Sequence, residues 1–194
     1  IVGANGPIAC GAALTIKMKK FPDRVCAAYL GDGASNEGAI LESMNLAAAW
    51  DLPVMFILTN NTYGLSTPIE RAVRNTDLAQ RAAAFGFPAW ECDGNDVLAV
   101  YETVKKARDY VIAEKGPVLV VEHTYRTSGH SKSDKNLYRS QEEIRYWEEQ
   151  NPIIRFRSFL LEKGIFSQEE IDGMGKEADQ AVQDAVDYGM SCPE

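Results

Sequence analysis

Two short polar segments contain the residue types that could hold a phosphate group. They are residues 31–38 (GDGASNEG) and residues 60–64 (NNTYG). Gly31 and Gly33 would let the main chain approach a bulky anion, and a helix that begins just after them would direct free N–H groups toward it. Neither usual nucleotide motif fits, because G-x-x-x-x-G-K-[ST] is absent from the chain and residues 31–38 do not follow G-x-G-x-x-G.

The two segments contain a carboxylate, Asp32, and an amide, Asn61, and this pair indicates a site for a divalent cation. Asp32 would repel a bare phosphate, but a cation between the two anions makes their contact favourable. Magnesium suits this arrangement because it takes few protein oxygens and completes an octahedron with phosphate oxygens and water. Asn61 can add a neutral amide oxygen, and a nearby main-chain carbonyl can add another.

Buried strands are expected to bring the two segments together. The apolar runs 25–30 (VCAAYL) and 53–58 (PVMFIL) are too short for helices and stop at the polar segments, as buried parallel strands do. In a βαβ crossover the carboxyl ends of such strands lie at one edge of the sheet, where ligands bind. The helix between them is indicated by apolar residues at helical spacing: Ile40, Leu41, Met44, Ala47 and Ala48.

The rest of the chain continues this alternation. Residues 7–17 are small and apolar at helical spacing, 88–92 and 117–122 are predicted strands, and 97–113 is a predicted amphipathic helix. The order predicts an α/β fold, doubly wound around a mostly parallel sheet. Three Ser/Thr-x-x-Glu patterns predict capping boxes at helix starts, and they begin at Thr67, Ser140 and Ser167.

Composition and charge restrict the class of protein. The chain has 194 residues, a formal net charge of −8 and 45% hydrophobic residues. We interpret 1–194 as a single domain with a helical C-terminal extension over 140–194. The acidic balance argues against binding to nucleic acid or to a membrane surface, and no apolar run approaches a membrane span. Four scattered cysteines are expected to be free thiols, which favours a cytoplasmic protein.

The pair of polar segments resembles the signature of thiamine diphosphate (ThDP) enzymes, a Gly-Asp-Gly followed nearly thirty residues later by Asn-Asn. Asp32 and Asn61 are 29 positions apart. Within that superfamily the chain is most similar to the α subunit of the E1 component of 2-oxo acid dehydrogenases, the pyruvate and acetoin types included. The matching sequence segments, in order, are 1–4 (IVGA), 31–38, 60–64, 66–68 (STP), 70–71 (ER) and 125–134 (YRTSGHSKSD).

The resemblance implies a magnesium site and a set of cofactor-binding residues. Asp32, Asn61 and Tyr63 would provide the magnesium ligands. The main chain near Val2 would contact the aminopyrimidine ring of ThDP, although a buried strand end is an equally good interpretation of this residue. The residues implied to bind the cofactor are Val2, Gly31, Asp32, Gly33, Ala34, Asn61, Tyr63 and His130.

His130 is the candidate catalytic residue. It lies in the polar loop 125–139, which follows a predicted central strand and should reach the same edge of the sheet. A histidine there can donate a hydrogen bond or shuttle a proton near neutral pH, and the resemblance implies that it contacts ThDP and assists acyl transfer. The alternative is a solvated loop histidine. Ser128 stands where pyruvate-type chains often carry a second histidine, which leaves the substrate open.

Other polar residues have plainer interpretations. Ser131 aligns with a serine that is phosphorylated in mitochondrial relatives, and we interpret it as unmodified. His123 is interpreted as structural. The basic residues of the loop could offset phosphate charge, but exposed basic residues are usually solvated: Arg126, Lys132 and Arg139.

The resemblance also implies partners. The glutamate that activates ThDP in this superfamily lies on a pyrimidine-binding domain that this chain does not contain, so a β subunit would supply it in an α2β2 assembly. That assembly would cleave pyruvate, another 2-oxo acid or acetoin and pass the acyl group to a lipoyl-bearing E2 acyltransferase. A further N-terminal stretch is expected, since 1–4 falls inside a family motif and no initiator Met begins the chain.

Two other functions remain open at this point. One is a subunit of another ThDP enzyme of the split transketolase type, against which the His130 loop and residues 70–71 argue. The other is a non-catalytic α/β module, against which the intact Asp32 and Asn61 argue.

Overall fold

Four parallel strands form the sheet from which both polar segments emerge. The structure is a computed structural model that describes residues 1–113 and 115–193. The strands of the main sheet lie in the order β1-β2-β6-β5 and all pair in parallel, whereas β3 and β4 form a small antiparallel pair. In chain order the strands are β1 Cys26–Gly31, β2 Val54–Asn60, β3 Tyr63–Gly64, β4 Thr67–Pro68, β5 Ala89–Asp93 and β6 Val118–His123.

Helices connect the strands and continue after the last one. A short 3₁₀ helix, Ala34–Asn36, separates β1 from the second helix. The helices are α1 Asn5–Met18, α2 Gly38–Ala49, α3 Ile69–Ala72, α4 Gln80–Ala84, α5 Val97–Ile112, α6 Gln141–Glu149, α7 Pro152–Glu162 and α8 Gln168–Ser191.

The core occupies both faces of the sheet. Along β2, Phe56 belongs to the hydrophobic cluster that contains buried residues of α1 and α2, whereas Met55 and Ile57 belong to the cluster that contains Ala107 and Val111 of α5. A strand covered on both faces needs a continuous apolar sequence, which is why 53–58 shows no alternation. The predicted α/β fold, with helices on both faces of a parallel sheet, is confirmed.

The chain divides into two compact units, Ile1–Gln150 and Asn151–Glu194. The first contains the sheet and helices α1 to α6. The second contains α7 and α8, which an ion pair joins at 2.7 Å between Arg157 Nη2 and Asp172 Oδ1. The division falls inside 140–194, and the interpretation of the whole chain as one domain stays a prediction.

The three predicted capping boxes have different outcomes. The box at Ser167 is confirmed, since its hydroxyl and the Glu170 carboxylate each accept the other residue's main-chain N–H. At Ser140 only half forms, because the side chain accepts the Glu143 N–H at 3.1 Å while the Glu143 carboxylate binds elsewhere. The box at Thr67 is wrong: Thr67–Pro68 pairs as β4, and α3 starts without a side-chain cap.

A helix that crosses a bilayer needs about 20 mostly apolar residues. Throughout residues 1–113 and 115–193, each helix is too short or too polar to cross a membrane.

Candidate functional site

The two polar segments touch each other at the carboxyl edge of the sheet. Gly31 in β1 lies opposite Thr59 in β2, so the chain leaves both strands at the same level. Beyond them the main chains come so close that a Cβ on Gly33 would lie 3.5 Å from the Gly64 Cα. Two loops that begin on neighbouring strands therefore lie directly against one another, main chain to main chain.

Asp32 lies at this contact and is only 4% exposed. Burial raises the pKa of its carboxyl group, while hydrogen bonds from main-chain N–H groups and the charge of Arg126 act in the opposite direction. Its main-chain carbonyl accepts a hydrogen bond of 2.5 Å from the Ser35 hydroxyl. An ionised carboxylate in this buried position gains from a nearby cation, and magnesium ligands of this kind are hard oxygen donors.

The second segment is held by its own asparagines. Asn60 Oδ1 accepts the Thr62 N–H at 3.2 Å, and Asn61 Oδ1 accepts the Tyr63 N–H at 3.1 Å. These side chains stabilise a turn in which Thr62 has a φ of 68°. The Thr124 N–H donates to the Asn60 carbonyl at 3.0 Å, which fixes the turn to the end of β6.

Tyr63 joins this turn to a buried polar cluster. The hydroxyls of Tyr63 and Tyr125 both donate to Glu143 Oε1, at 2.9 Å and 2.8 Å. Burial, followed by the hydrogen bond to Glu143, raises the pKa of Tyr63 to about 12. The Arg139 guanidinium lies 5.7 Å from the Tyr63 ring centroid and 5.2 Å from that of Tyr125, within the range of cation–π attraction.

Arg139 differs from the sequence-based expectation of a solvated or phosphate-facing residue. It is only 6% exposed, and its Nη2 donates to Ser128 O at 3.1 Å and to Asn136 Oδ1 at 2.5 Å. Its Nη1 donates to the Arg126 carbonyl. The guanidinium therefore organises the loop from within, because its planar fork reaches several acceptors at once.

The loop 125–139 is fixed around Asp134, and His130 projects from it. The Asp134 carboxylate accepts the His130 N–H at 2.8 Å and the Tyr138 hydroxyl at 2.6 Å. Arg126 Nη2 donates to the Leu65 carbonyl at 2.8 Å, which connects the loop to the chain that follows the turn at residues 60–64. The His130 imidazole is exposed and forms no hydrogen bond with the described part of the chain.

The remaining predicted site residues occupy different environments. Val2 is 64% exposed, and a Cβ on neighbouring Gly3 would lie 2.9 Å from Glu37 Cβ, so this segment runs beside the start of α2. Ala34 is partly buried against the core. A Cβ on Gly31 would meet no atom within 4 Å, so packing alone does not require glycine there.

The side chains at this edge limit how it could hold a metal ion. Within residues 1–113 and 115–193, no group of three or more His, Cys, Asp or Glu residues could hold a metal ion. A cation beside Asp32 would therefore need amide, main-chain and ligand oxygens. His123 is engaged elsewhere, with Nε2 2.6 Å from Glu91 Oε2, in agreement with its interpretation as structural.

The sequence pattern did not indicate the structural roles of three residues close to the site. Arg81 in α4 donates to Ser35 and Asn36 of the first segment, and Glu143 was interpreted only as part of a capping box. Arg139 was grouped with exposed basic residues. The sequence marks Arg81 only as a single charged residue in an alanine-rich stretch, since its partners Ser35 and Asn36 lie 46 and 45 positions away.

The fold and this edge define an α/β protein with a buried carboxylate, an asparagine turn and close-packed glycines where parallel strands end. Such an edge is the ligand-binding position of open parallel sheets. Residues 1–194 match the family model described as "Dehydrogenase E1 component". The chain belongs to the dehydrogenase E1 component family.

Similar proteins have the name pyruvate dehydrogenase E1 component subunit alpha. The one from Rhizobium meliloti (strain 1021) is 40% identical over 195 residues, covering 100% of this chain and 56% of the relative. That from Zymomonas mobilis is also 40% identical, over 100% of this chain and 54% of the relative. The Staphylococcus aureus (strain Mu50) protein is 37% identical over 96% and 50%. The chain spans about half the length of the curated relatives it matches.

Proposed function

We propose that this chain is the α-subunit half-site of a ThDP-dependent E1 dehydrogenase, and that it binds the cofactor diphosphate through magnesium. The observation that carries this proposal is the contact of Gly33 with Gly64, since it brings Asp32 and the Asn61 turn to one edge of the sheet. Membership of the E1 family supports ThDP as the cofactor.

The oxygen donors at this edge fit magnesium. Asp32 provides one carboxylate, Asn61 an amide oxygen and Tyr63 a main-chain carbonyl, and such sites are completed by phosphate oxygens and water. The main chain at Gly31, Gly33 and Ala34 would lie against the diphosphate. A further contact would come from the main chain near Val2, which runs beside the start of α2.

His130 is the residue of this chain that acts on the bound cofactor or substrate. ThDP, when bound, supplies carbanion chemistry, and the protein positions it. The imidazole of His130 is exposed while its main chain is fixed by Asp134, so it can donate a hydrogen bond or move a proton without first leaving an internal partner. This supports a role in acyl transfer.

The complete enzyme is an α2β2 assembly in which a β subunit supplies the activating glutamate. The name of the relatives, pyruvate dehydrogenase, favours pyruvate as the substrate. Ser128 keeps other 2-oxo acids and acetoin as alternatives. The acyl group passes to a lipoyl-bearing E2 partner.

Four free cysteines agree with a cytoplasmic location.

Calorimetric titration of ThDP into the full-length α subunit with its β subunit tests the half-site. We expect binding that requires both chains and magnesium and that is lost on addition of chelator. Asp32→Ala should abolish it, whereas Asp109→Ala, which removes an exposed carboxylate of α5, should not. Unchanged affinity of Asp32→Ala would overturn the assignment, and turnover of a sugar phosphate would favour a transketolase-type subunit.

A kinetic comparison of the two histidines tests His130. His130→Ala should leave ThDP binding measurable while turnover falls by roughly 10²–10⁴-fold, the usual contribution of a positioned acid–base group. His123→Ala is the matched control, because His123 pairs with Glu91 instead. Wild-type turnover by His130→Ala would favour the alternative in which His130 is only a solvated loop histidine.

A further inference from the structure

A half-buried arginine lies behind the Asp32 loop. Arg81, in α4, donates from Nη1 to the Ser35 carbonyl and, at 2.7 Å, to the Ser35 hydroxyl oxygen. Its Nη2 donates to Asn36 Oδ1 at 2.6 Å. One guanidinium therefore binds two consecutive residues of the 3₁₀ helix that follows Asp32, which a planar fork of donors can do and a single ammonium group cannot.

The hydrogen bonds continue from Arg81 to Asp32. Ser35 is 0% exposed, and its hydroxyl donates at 2.5 Å to the main-chain carbonyl of Asp32 while its oxygen accepts from Arg81. Asp32 itself is 4% exposed. Two hydrogen bonds thus separate a side chain of α4 from the main chain of the residue that we assign to magnesium.

The position of Arg81 is fixed by the core. Leu78, just before α4, and Ala82 in α4 are 1% and 0% exposed and belong to the main hydrophobic cluster. Throughout residues 1–113 and 115–193, Arg81 forms no salt bridge. Its N–H donors are directed at the loop, so Arg81 acts on the conformation of the loop through hydrogen bonds.

We propose that Arg81 is a positioning residue of the cofactor site, which acts through Ser35 to hold the main chain of Asp32 in the orientation that magnesium requires. This inference rests on the proposed function. Arg81 touches neither metal nor cofactor, and such outer partners set the direction of a ligand and tune the affinity of the site.

Magnesium titration at saturating ThDP, in the full-length α subunit with its β subunit, tests the proposal. Arg81→Gln should raise the half-saturating magnesium concentration by about 10- to 100-fold, the usual effect of losing an outer-shell partner. Arg74→Gln is the matched control, since Arg74 is an exposed arginine a few residues away. Both variants should stay folded without metal, and Arg81→Gln should melt somewhat lower than Arg74→Gln, because its hydrogen bonds to Ser35 and Asn36 do not depend on metal.

A double-mutant cycle tests the route through Ser35. Ser35→Ala should also raise the half-saturating magnesium concentration, and adding Arg81→Gln should give less than the product of the two changes, because the residues act in one chain of contacts. Independent effects would overturn the route. Arg81→Lys keeps the charge but not the fork and should still require more magnesium, so it carries the test if Arg81→Gln does not fold.

The outcomes separate this inference from the proposed function. A wild-type complex that binds no ThDP with magnesium would refute both. Normal wild-type binding with an unchanged magnesium requirement in Arg81→Gln or Arg81→Lys would refute the role of Arg81 alone. A lower metal-free melting temperature in Arg81→Gln with a wild-type magnesium requirement would show a purely structural arginine, which also refutes it.

Discussion

Replacement of Gly33 by alanine should affect folding stability and ThDP affinity in different ways. The Gly33 main chain has φ −61° and ψ −47°, a conformation that alanine adopts without strain. The new Cβ would lie 3.5 Å from the Gly64 Cα, an ordinary van der Waals distance. We therefore expect Gly33→Ala to fold with unchanged or slightly raised stability, a gain of up to about 0.4–1 kcal/mol from the lower entropy of the unfolded chain.

Cofactor binding should respond in the opposite direction. If the diphosphate lies against the main chain at residue 33, the added methyl group occupies space that the anion requires. Overpacking by one such group costs about 1–3 kcal/mol, which corresponds to roughly 5- to 150-fold in affinity. Thermal denaturation of the subunit and calorimetric titration of ThDP with magnesium measure the two effects separately.

A glycine of α8 provides the control for this substitution. A Cβ on Gly175 would meet no atom within 4 Å, so Gly175→Ala should stabilise its helix by about 0.5–1 kcal/mol and leave ThDP affinity unchanged. Gly33→Ala with wild-type affinity would refute the assignment of this loop to the diphosphate. A Gly33→Ala protein that fails to fold would show that the glycine serves the fold.

Three further predictions concern contacts around the site and the second unit. Tyr63→Phe removes the hydroxyl that donates to Glu143 and should lower the free energy of unfolding by about 0.5–1.5 kcal/mol, as urea denaturation would show; no change would mean that the bond contributes nothing. Hydrogen bonds, that from Tyr138 foremost, lower the pKa of Asp134 to about 2. Since this lies below its ordinary value, the order that ionised Asp134 gives the loop 125–139 is complete above about pH 4 and lost as the pH falls toward 2. Limited proteolysis with an acid-active protease should therefore cut this loop faster over that interval, and Asp134→Asn should remove the acid dependence; an Asp134→Asn loop that keeps it would refute the reasoning. Ser167→Ala should destabilise α8 by about 1 kcal/mol, seen as faster amide hydrogen exchange in its first turn, and unchanged exchange there would contradict the capping role.

Much of the fold could be predicted because local pattern and burial agree. The run 53–58 is apolar without alternation, and β2 is indeed covered on both faces. The Ser167 box formed because Ser167 and Glu170 lie three positions apart at the start of one helix, so both hydrogen bonds are local. The Thr67 box failed because pairing of Thr67 and Pro68 with Gly64 and Tyr63 competed with a helix cap, a tertiary effect that sequence spacing does not contain.

The assignment of individual site residues to magnesium and ThDP stays a prediction, although the elements that carry them were anticipated. The edge where residues 31–38 meet 60–64 follows from two neighbouring parallel strands. The loop 125–139 was expected to reach that edge, and Arg126 of this loop donates to the Leu65 carbonyl just after residues 60–64. No local pattern could show that Arg139 is buried, because its acceptors come from a folded loop without regular structure.

The sequence by itself determined the βαβ unit, the helix and strand order, and the family signature, since all of these depend on residues near one another along the chain. Only the tertiary structure decided which side chains support the site. Glu143 fulfils half of a local cap, yet its carboxylate binds Tyr63, 80 positions away. Arg81 reaches Ser35 across 46 positions. Such contacts depend on how whole elements pack, and a spacing rule within one element carries no information about them.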